Sequence, residues 1–279
     1  MPHHNRHYGG DPFSNTGVWG PPTSAANFCE EDYVITRYLA EFINSLTNLI
    51  YVYLALRYAW TPRAPRNPRQ APAAPGTGTR AASAPAKVAP GFDAMAVSLV
   101  VLGITSFAFH ASLLQPAQFA DDVSMLITAG ALLQGVYCAA GGGEQRPPRQ
   151  RAAISAAVYA VVAAMAAAYV QSGKIIVHLA MFTTMVHAVW PRTVYLIFRR
   201  ADGSPAERNR LFRKFGVAMT WLLVGFALWN VDLELCHGLR GWRAFVGLPW
   251  AWLLELHGWW HIMTGIGAAT YMDLIRELE

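Results

Sequence analysis

The sequence predicts an all-α protein that crosses a membrane as a bundle of seven helices. Hydrophobic residues make up 54% of the 279 residues and charged residues only 14%, whereas soluble domains carry about 25% charged residues. Seven apolar segments are each long enough to cross the hydrocarbon of a bilayer, which takes about 20 residues. Most connections are short, so we predict one compact bundle. The segments are 34–59, 91–111, 121–140, 152–170, 174–198, 214–235 and 248–274.

The segments differ in how apolar they are. The first is the least apolar, because it holds Arg37, Glu41 and Arg57. The third begins with the charge pair Asp121-Asp122. The fourth, "AAISAAVYAVVAAMAAAYV", is rich in small residues, which close helix packing in lipid favours.

Two further regions lie outside or between the segments. Residues 1–33 are polar, contain Gly and Pro, and lack the apolar core of a signal peptide. Residues 61–90 are rich in Pro, Ala and Arg, and such a composition cannot bury a core. We predict a seven-helix domain over 34–276 that contains a disordered cytosolic linker at 61–90.

The distribution of basic residues predicts the orientation. Loops one, three and five with the carboxyl tail carry 15 Lys and Arg residues, whereas the amino-terminal segment and the other loops carry 4. By the positive-inside rule, the carboxyl terminus is cytosolic and the amino terminus lumenal or external. The net charge of +5 therefore reflects topology, and we predict no nucleic-acid partner.

The three cysteines are divided by this topology. Cys29 precedes the first segment and Cys236 follows the sixth, so both lie on the oxidising side, where a disulfide persists. Cys138 lies near the opposite end of the third segment. We predict a Cys29–Cys236 disulfide, with three unpaired, small hydrophobic residues as the alternative.

Polar residues of three segments meet at one depth. In "HGWWH", His257 and His261 are four residues apart and share a helix face. In "SFAFHASLLQPAQFAD", Ser106 and His110 have the same spacing, and a short turn returns the chain so that Asp121 comes near His110. Because ionisable groups inside a membrane are costly, they usually mark function.

Three histidines with one open position are typical of catalytic zinc, and nitrogen ligands favour zinc over magnesium or calcium. Soluble metalloproteases carry Glu directly after the first His, but Gly258 stands there. Asp121 is therefore the predicted proton acceptor. The alternative is that each histidine is a hydrogen-bonded packing residue.

The stretch "NFCEEDYVITRYLAEF" contains a second candidate cation site. Its Asn, Asp and Glu oxygens suit a hard cation such as calcium, and an unpaired Glu41 one to two turns inside the first segment would be costly. The alternative is a solvated acidic face with Glu41 paired to Arg37 at i, i+4. The spacing leaves both open. The polar residues are Asn27, Glu30, Glu31, Asp32 and Glu41.

"WNVDLE", residues 229–234, places Asn230 and Asp232 near the lumenal end of the sixth segment. We predict interhelical hydrogen bonds for both side chains. Contacts with substrate or with groups around the metal are the alternative.

Four stretches together resemble the alkaline ceramidases, which belong to the CREST superfamily of membrane hydrolases. The resemblance covers all seven segments and fails only in the 61–90 linker and the termini. The stretches are "GVWGPPTSAANFCEEDYVITRYLAEFINSLTNLIY", "GITSFAFHASLLQPAQFADD", "WNVDLELC" and "LHGWWHIMTGIG".

The resemblance implies a seven-helix amidase of the endoplasmic reticulum or Golgi that cleaves ceramide to sphingoid base and fatty acid. It implies zinc ligands at His110, His257 and His261, with Ser106 and Asp121 beside them. Phytoceramide and dihydroceramide are further candidate substrates within the bilayer.

The resemblance also implies a calcium site. The family commonly has Asp where this chain has Asn27, so one negative charge is lost, which predicts weaker calcium affinity rather than loss of the site. The implied ligands are Asn27, the Phe28 carbonyl, Glu30, Asp32 and Glu41.

The predicted mechanism is zinc-assisted hydrolysis of the amide. Asp121 accepts the proton of the attacking water and passes it to the departing amine. Zinc and the Ser106 hydroxyl stabilise the oxyanion. The alternatives are another lipid hydrolase of the superfamily, cutting an ester or a phospholipid, and a seven-helix receptor with structural zinc.

Overall fold

The computed structural model describes residues 11–60, 93–141, 144–200 and 204–278. The predicted linker at 61–90 and the first ten residues of the predicted polar segment lie outside the described residues.

The described chain is mainly helical. A two-stranded antiparallel hairpin follows the fourth helix, and a 3₁₀ turn at Trp250–Leu254 precedes the last helix. The elements in chain order are α1 (Phe42–Thr47), α2 (Leu49–Trp60), α3 (Ala94–Ser112), α4 (Gln115–Cys138), β1 (Ala139–Gly141), β2 (Glu144–Gln145), α5 (Pro148–Ser172), α6 (Ile175–Arg200), α7 (Pro205–Glu234), α8 (Cys236–Val246) and α9 (Leu256–Leu278).

Helices occupy all seven predicted segments. Four of them, α3, α4, α5 and α7, are long and apolar enough to cross a membrane by length and composition. The first predicted segment is divided into α1 and α2, because the chain tightens at Asn48, whose amide donates to the Ser45 carbonyl at 3.3 Å.

Several helices begin six to nine residues away from the predicted starts of their segments. The first helix begins at Phe42 rather than at 34, so Glu41 directly precedes it. Helix α4 begins at Gln115, where a proline at the helix start favours initiation, so Asp121 lies in its second turn. Helix α7 begins at Pro205 rather than at 214, because the Ser204 hydroxyl caps it by accepting from the Glu207 amide.

The hairpin between α3 and α4 sets one end of the bundle. Leu113 adopts a left-handed conformation with φ 51° and donates to the Phe109 carbonyl at 2.7 Å. Helix α4 starts two residues later, so the chain reverses at once. The largest core cluster lies between helices deeper in the bundle and includes Tyr51, Leu99, Leu196, Leu211, Tyr271 and Leu274.

Residues 11–41, here called the N-terminal segment, form turns that cover this end. The Ala40 amide donates to the Ala111 carbonyl at 2.9 Å, and the Glu41 amide to the His110 carbonyl at 3.0 Å. These bonds satisfy carbonyls that the end of α3 cannot pair internally. The segment is therefore held against the last turn of α3.

The predicted disulfide between Cys29 and Cys236 is present, and Cys138 is a buried free cysteine. The Cys29 carbonyl also accepts from Arg240 Nε at 2.9 Å and from Arg243 Nη2 at 2.6 Å. The N-terminal segment is thus joined to α8, a helix that was not predicted.

Candidate metal site

Three buried histidines converge at the covered end of the bundle. His110 lies in the last turn of α3, and His257 and His261 lie in the first two turns of α9. Their candidate ligand atoms all lie within 4.8 Å of one another, and each side chain is 3% exposed or less. Within the described ranges this is the one group of three or more His, Cys, Asp or Glu residues that converges in this way.

Two of the three rings are held by outer partners. His110 Nδ1 bonds to the Glu41 carboxylate, and His261 Nδ1 lies 2.9 Å from the Thr47 hydroxyl. Partners of this kind fix the orientation of a metal-binding imidazole and leave the other ring nitrogen to the metal.

The third ring is held by stacking. The centroid of the Phe28 ring lies 3.6 Å from that of His257, at an interplanar angle of 24°. His257 Nδ1 is buried and has no hydrogen-bond partner, which is costly for a polar atom and which a bound cation would relieve. The donor set therefore fits a cation that prefers imidazole nitrogen.

Asp121 and Ser106 lie at the same end, next to each other. The Ser106 hydroxyl lies near the Asp121 carboxylate, and both residues are buried. Asp121 Oδ1 is buried without a partner, so it is free to accept a proton. Asp121 is not part of the converging histidine group.

The neighbouring Asp122 belongs to a different cluster. Its carboxylate accepts from the Tyr169 hydroxyl and from Gln118 Nε2 at 3.4 Å, and it lies 3.8 Å from His178 Nδ1. Consecutive residues of a helix point about 100° apart, so the two carboxylates enter separate surroundings.

The acidic residues of the N-terminal segment are not a solvated face, because Glu30, Asp32 and Glu41 are all buried. Glu41 is fully buried, whereas Arg37 is exposed. The Glu41 carboxylate instead accepts from the Phe28 amide at 3.0 Å and from Asn44 Nδ2 at 3.3 Å, in addition to its contact with His110.

Glu30 and Asn27 already have local partners. The Glu30 carboxylate accepts from the Ile43 amide at 2.7 Å and the Asn44 amide at 2.8 Å, so it caps the short helix α1. Asn27 Oδ1 accepts from the Phe28 amide at 2.8 Å, and Asn27 Nδ2 lies 3.5 Å from Asp32 Oδ2.

The electrostatics of this acidic cluster favour a cation. Burial and then the Glu41 charge raise the pKa of Asp32 to about 7, and the same two causes raise the pKa of Glu30. Asp32 Oδ1 and Asn44 Oδ1 are buried without partners. The carboxylates of Glu30, Asp32 and Glu41 do not, however, converge as tightly as the histidines.

Two side chains that contact the histidines, those of Thr47 and Phe28, were not predicted to do so. The Thr47 and Phe28 side chains contact histidines of α9, across more than 200 positions of sequence, and no spacing within one segment indicates such a pair. Asp232 makes the predicted bonds between elements, because its carboxylate accepts from the Cys29 amide at 3.1 Å and the His257 amide at 3.3 Å. For Asn230 the prediction of an interhelical bond was wrong, because its side chain bonds within its own helix, to the Phe226 carbonyl.

Comparison with known proteins gives consistent matches over nearly the whole chain. The Ceramidase family model matches residues 20–279. The chain is 26% identical to alkaline ceramidase YPC1 of Saccharomyces cerevisiae, over 94% of this chain and 79% of that protein. It is 27% identical to mouse alkaline ceramidase 3, over 94% of this chain and 85% of that protein. It is also 25% identical to the putative alkaline ceramidase dcd3A of Dictyostelium discoideum, over 95% and 90% of the two chains.

Proposed function

Since the chain belongs to the Ceramidase family and is a ceramide-hydrolysing enzyme of the membrane, we propose that it is a zinc-dependent amidase that releases a sphingoid base and a fatty acid. The observation that carries this proposal is the convergence of His110, His257 and His261, buried and at the same end as Asp121. These three histidines would hold the zinc.

Zinc, when bound, supplies a Lewis acid that polarises an amide carbonyl and lowers the pKa of water. The chain's own residues supply the proton transfers. Asp121, with one unpartnered oxygen, takes the proton from the attacking water and delivers it to the departing amine. The Ser106 hydroxyl, which lies near the Asp121 carboxylate, donates a hydrogen bond to the oxyanion.

The proposed topology has seven membrane crossings, formed by α1 with α2, α3, α4, α5, α6, α7 and α9. The amino terminus is lumenal or external and the carboxyl terminus cytosolic. The Cys29–Cys236 disulfide at the site end supports this orientation, because disulfides persist on the oxidising side. The endoplasmic reticulum or Golgi is the proposed location.

The test compares wild type with His257→Ala and with His187→Ala, each assayed for bound zinc and for turnover of ceramide, phytoceramide, dihydroceramide and a phospholipid panel. His187 is a matched control, since it is an exposed histidine of α6 whose Nδ1 lies 2.8 Å from the Thr183 carbonyl. We expect His257→Ala to lose zinc and turnover together, and His187→Ala to keep both.

Two results would contradict the proposal. Wild-type protein that hydrolyses a phospholipid or an ester but no ceramide would be another lipid hydrolase. Protein that binds zinc through four protein ligands and turns over no lipid would be a receptor with structural zinc.

We further propose that the acidic cluster binds calcium, with ligands from Asn27, the Phe28 carbonyl, Glu30, Asp32 and Glu41. The buried, unpartnered Asp32 Oδ1 and the crowding of buried carboxylates support a cation here. Because Glu41 also bonds to His110, a cation at this cluster would stabilise a partner of the zinc ligand.

The calcium proposal is tested with Asn27→Asp. This change adds a carboxylate to the proposed ligands, so we expect calcium affinity to rise on the order of tenfold, measured as the calcium-dependent shift in the thermal unfolding temperature. The control is Asn15→Asp, the same change at an exposed position of the N-terminal segment outside the ligand set, which should leave that shift unchanged. An unfolding temperature that does not respond to calcium, in wild type or in the Asn27→Asp variant, would sink the proposal.

A further inference from the structure

Helix α8 has its polar and apolar faces reversed relative to a helix on a water-soluble surface. Its two arginines point into the protein, where Arg243 is buried and pairs with Glu255, and Arg240 pairs with Asp11. Both also bind the Cys29 carbonyl. The face of the helix that is left for the surroundings is therefore apolar.

That outer face is rich in large aromatic side chains and continues into the 3₁₀ turn. Phe245 is 81% exposed, Trp250 66% and Trp242 63%. Leu248 and Leu253 are also exposed. We call this surface, formed by Trp242, Phe245, Leu248, Trp250 and Leu253, the aromatic patch.

The aromatic patch carries almost no charge. Across residues 235–253, all of which are described, the exposed positions hold no carboxylate and no lysine, and His237 is the one exposed titratable side chain. A contiguous exposed apolar area of this kind marks a contact surface. The aromatic patch therefore offers almost no charged side chains with which a water-soluble protein partner could form ion pairs.

The patch is continuous with a surface that faces lipid. Helix α7 is long and apolar enough to cross a membrane, and its outer face exposes Leu223, Val224 and Phe226. It ends at Glu234, and α8 begins at Cys236, so α8 starts where a crossing ends. With 11 residues, α8 is itself too short to cross.

We propose that α8 and the 3₁₀ turn form an interfacial element, with the aromatic patch inserted among the headgroups and upper acyl chains of the surrounding leaflet. Tryptophan and other amphipathic aromatic residues concentrate at this depth of a bilayer, and a helix can lie in this plane with its apolar face about 5–10 Å deep. Because the patch has no exposed basic cluster, insertion requires no anionic lipid. The proposal depends on the membrane location of the chain and not on its activity.

The interfacial element is joined directly to the candidate metal site. The 3₁₀ turn ends at Leu254 and α9 begins at Leu256, next to His257. Trp252 packs against Phe42 at the start of α1, with ring centroids 6.1 Å apart. The interfacial element therefore adjoins α9, which carries His257, and contacts α1, which directly follows Glu41.

The test is depth measurement by nitroxide spin labels on the full chain in bilayer nanodiscs of phosphatidylcholine. Single cysteines replace Phe245, Leu223 and Phe13 in a Cys138→Ser background, with Cys29 and Cys236 left in their disulfide. Leu223 on α7 is the control within the bilayer. Phe13, exposed in the N-terminal segment, is the control in water.

At Phe245→Cys we expect oxygen to collide with the label several-fold more often than a water-soluble nickel complex does, at a depth shallower than Leu223→Cys. The depth should not change when phosphatidylserine is added. A label at 245 that is as accessible to nickel as the label at 13 would overturn the proposal. So would a label shielded from both reagents, because that result would mean that protein, such as a second copy of the chain, covers the patch.

Discussion

At the scale of single residues, surroundings rather than residue type assign the roles of the acidic side chains. Asp121 has a buried oxygen without a partner, and its neighbour Asp122 is occupied by Tyr169 and Gln118. Glu41 contacts a histidine of the converging group, whereas Glu30 caps α1. Sequence alone does not distinguish the roles of these four carboxylates, and only the fold separates them.

The pair Asp121 and Asp122 gives a matched test of the proposed base. Asp121→Asn removes the proton acceptor and should lower kcat about 10²–10⁴-fold, with zinc content and thermal unfolding close to wild type. Asp122→Asn weakens a buried hydrogen-bond cluster, so it should lower stability by about 1–3 kcal/mol while zinc-loaded protein keeps most of its turnover. Near-normal ceramide hydrolysis by Asp121→Asn would remove Asp121 as the base.

The histidine site was largely predictable from local spacing. His257 and His261 share a face because they are four residues apart, and the short turn between α3 and α4 brings His110 to the same end as Asp121. The outer partners were less predictable, because Thr47 contacts His261 across two distant helices. Glu41 was singled out as a cation ligand, yet its contact with His110 depends on how the N-terminal segment lies on α3.

At the scale of elements, hydropathy located the helices but not their ends. Length and apolar composition indicated where helices lie, and every predicted segment holds one. Caps and prolines decide where a helix begins, which explains the early starts of α4 and α7. Helix α8 was missed because the prediction rested on segments long enough to cross a bilayer, which takes about 20 residues, and α8 has only 11.

Close packing of α3 on the junction between α1 and α2 gives a prediction for Gly103. A Cβ there would lie 2.8 Å from Val52 Cγ2 and 3.0 Å from the Asn48 carbonyl oxygen, so Gly103→Ala should destabilise the protein by about 1–3 kcal/mol. Gly216→Ala is the control, since a Cβ at that position of α7 meets nothing within 4 Å. It should be neutral or stabilise the helix by up to about 1 kcal/mol.

Both glycine variants are compared with wild type by thermal unfolding in detergent. Equal unfolding temperatures for Gly103→Ala and Gly216→Ala would show that α3 does not approach the α1–α2 junction as closely as the structure indicates.

At the scale of the whole molecule, the N-terminal segment completes the site from outside the helices. It supplies the Phe28 ring against His257 and the Glu41 carboxylate against His110. The basic-residue count placed Cys29 and Cys236 on one side of the membrane, and that sufficed to predict the disulfide. The same count does not indicate how close the cysteines lie to the histidines. The sequence therefore could not show that the disulfide lies beside the histidine site.

The disulfide should therefore stabilise both the fold and the metal site. It joins positions 207 residues apart, so its loss should cost about 2–5 kcal/mol. The Cys29 amide also bonds to Asp232, which binds the His257 amide through its other oxygen, so Cys29→Ser should lose zinc faster to a chelator. Thermal unfolding and zinc release are measured with and without reductant, and Cys138→Ser, which keeps the disulfide, should match wild type. If reduction, verified by thiol titration, leaves unfolding and zinc release unchanged, then the non-covalent contacts of the N-terminal segment with α3 and α8 suffice to hold it over the site.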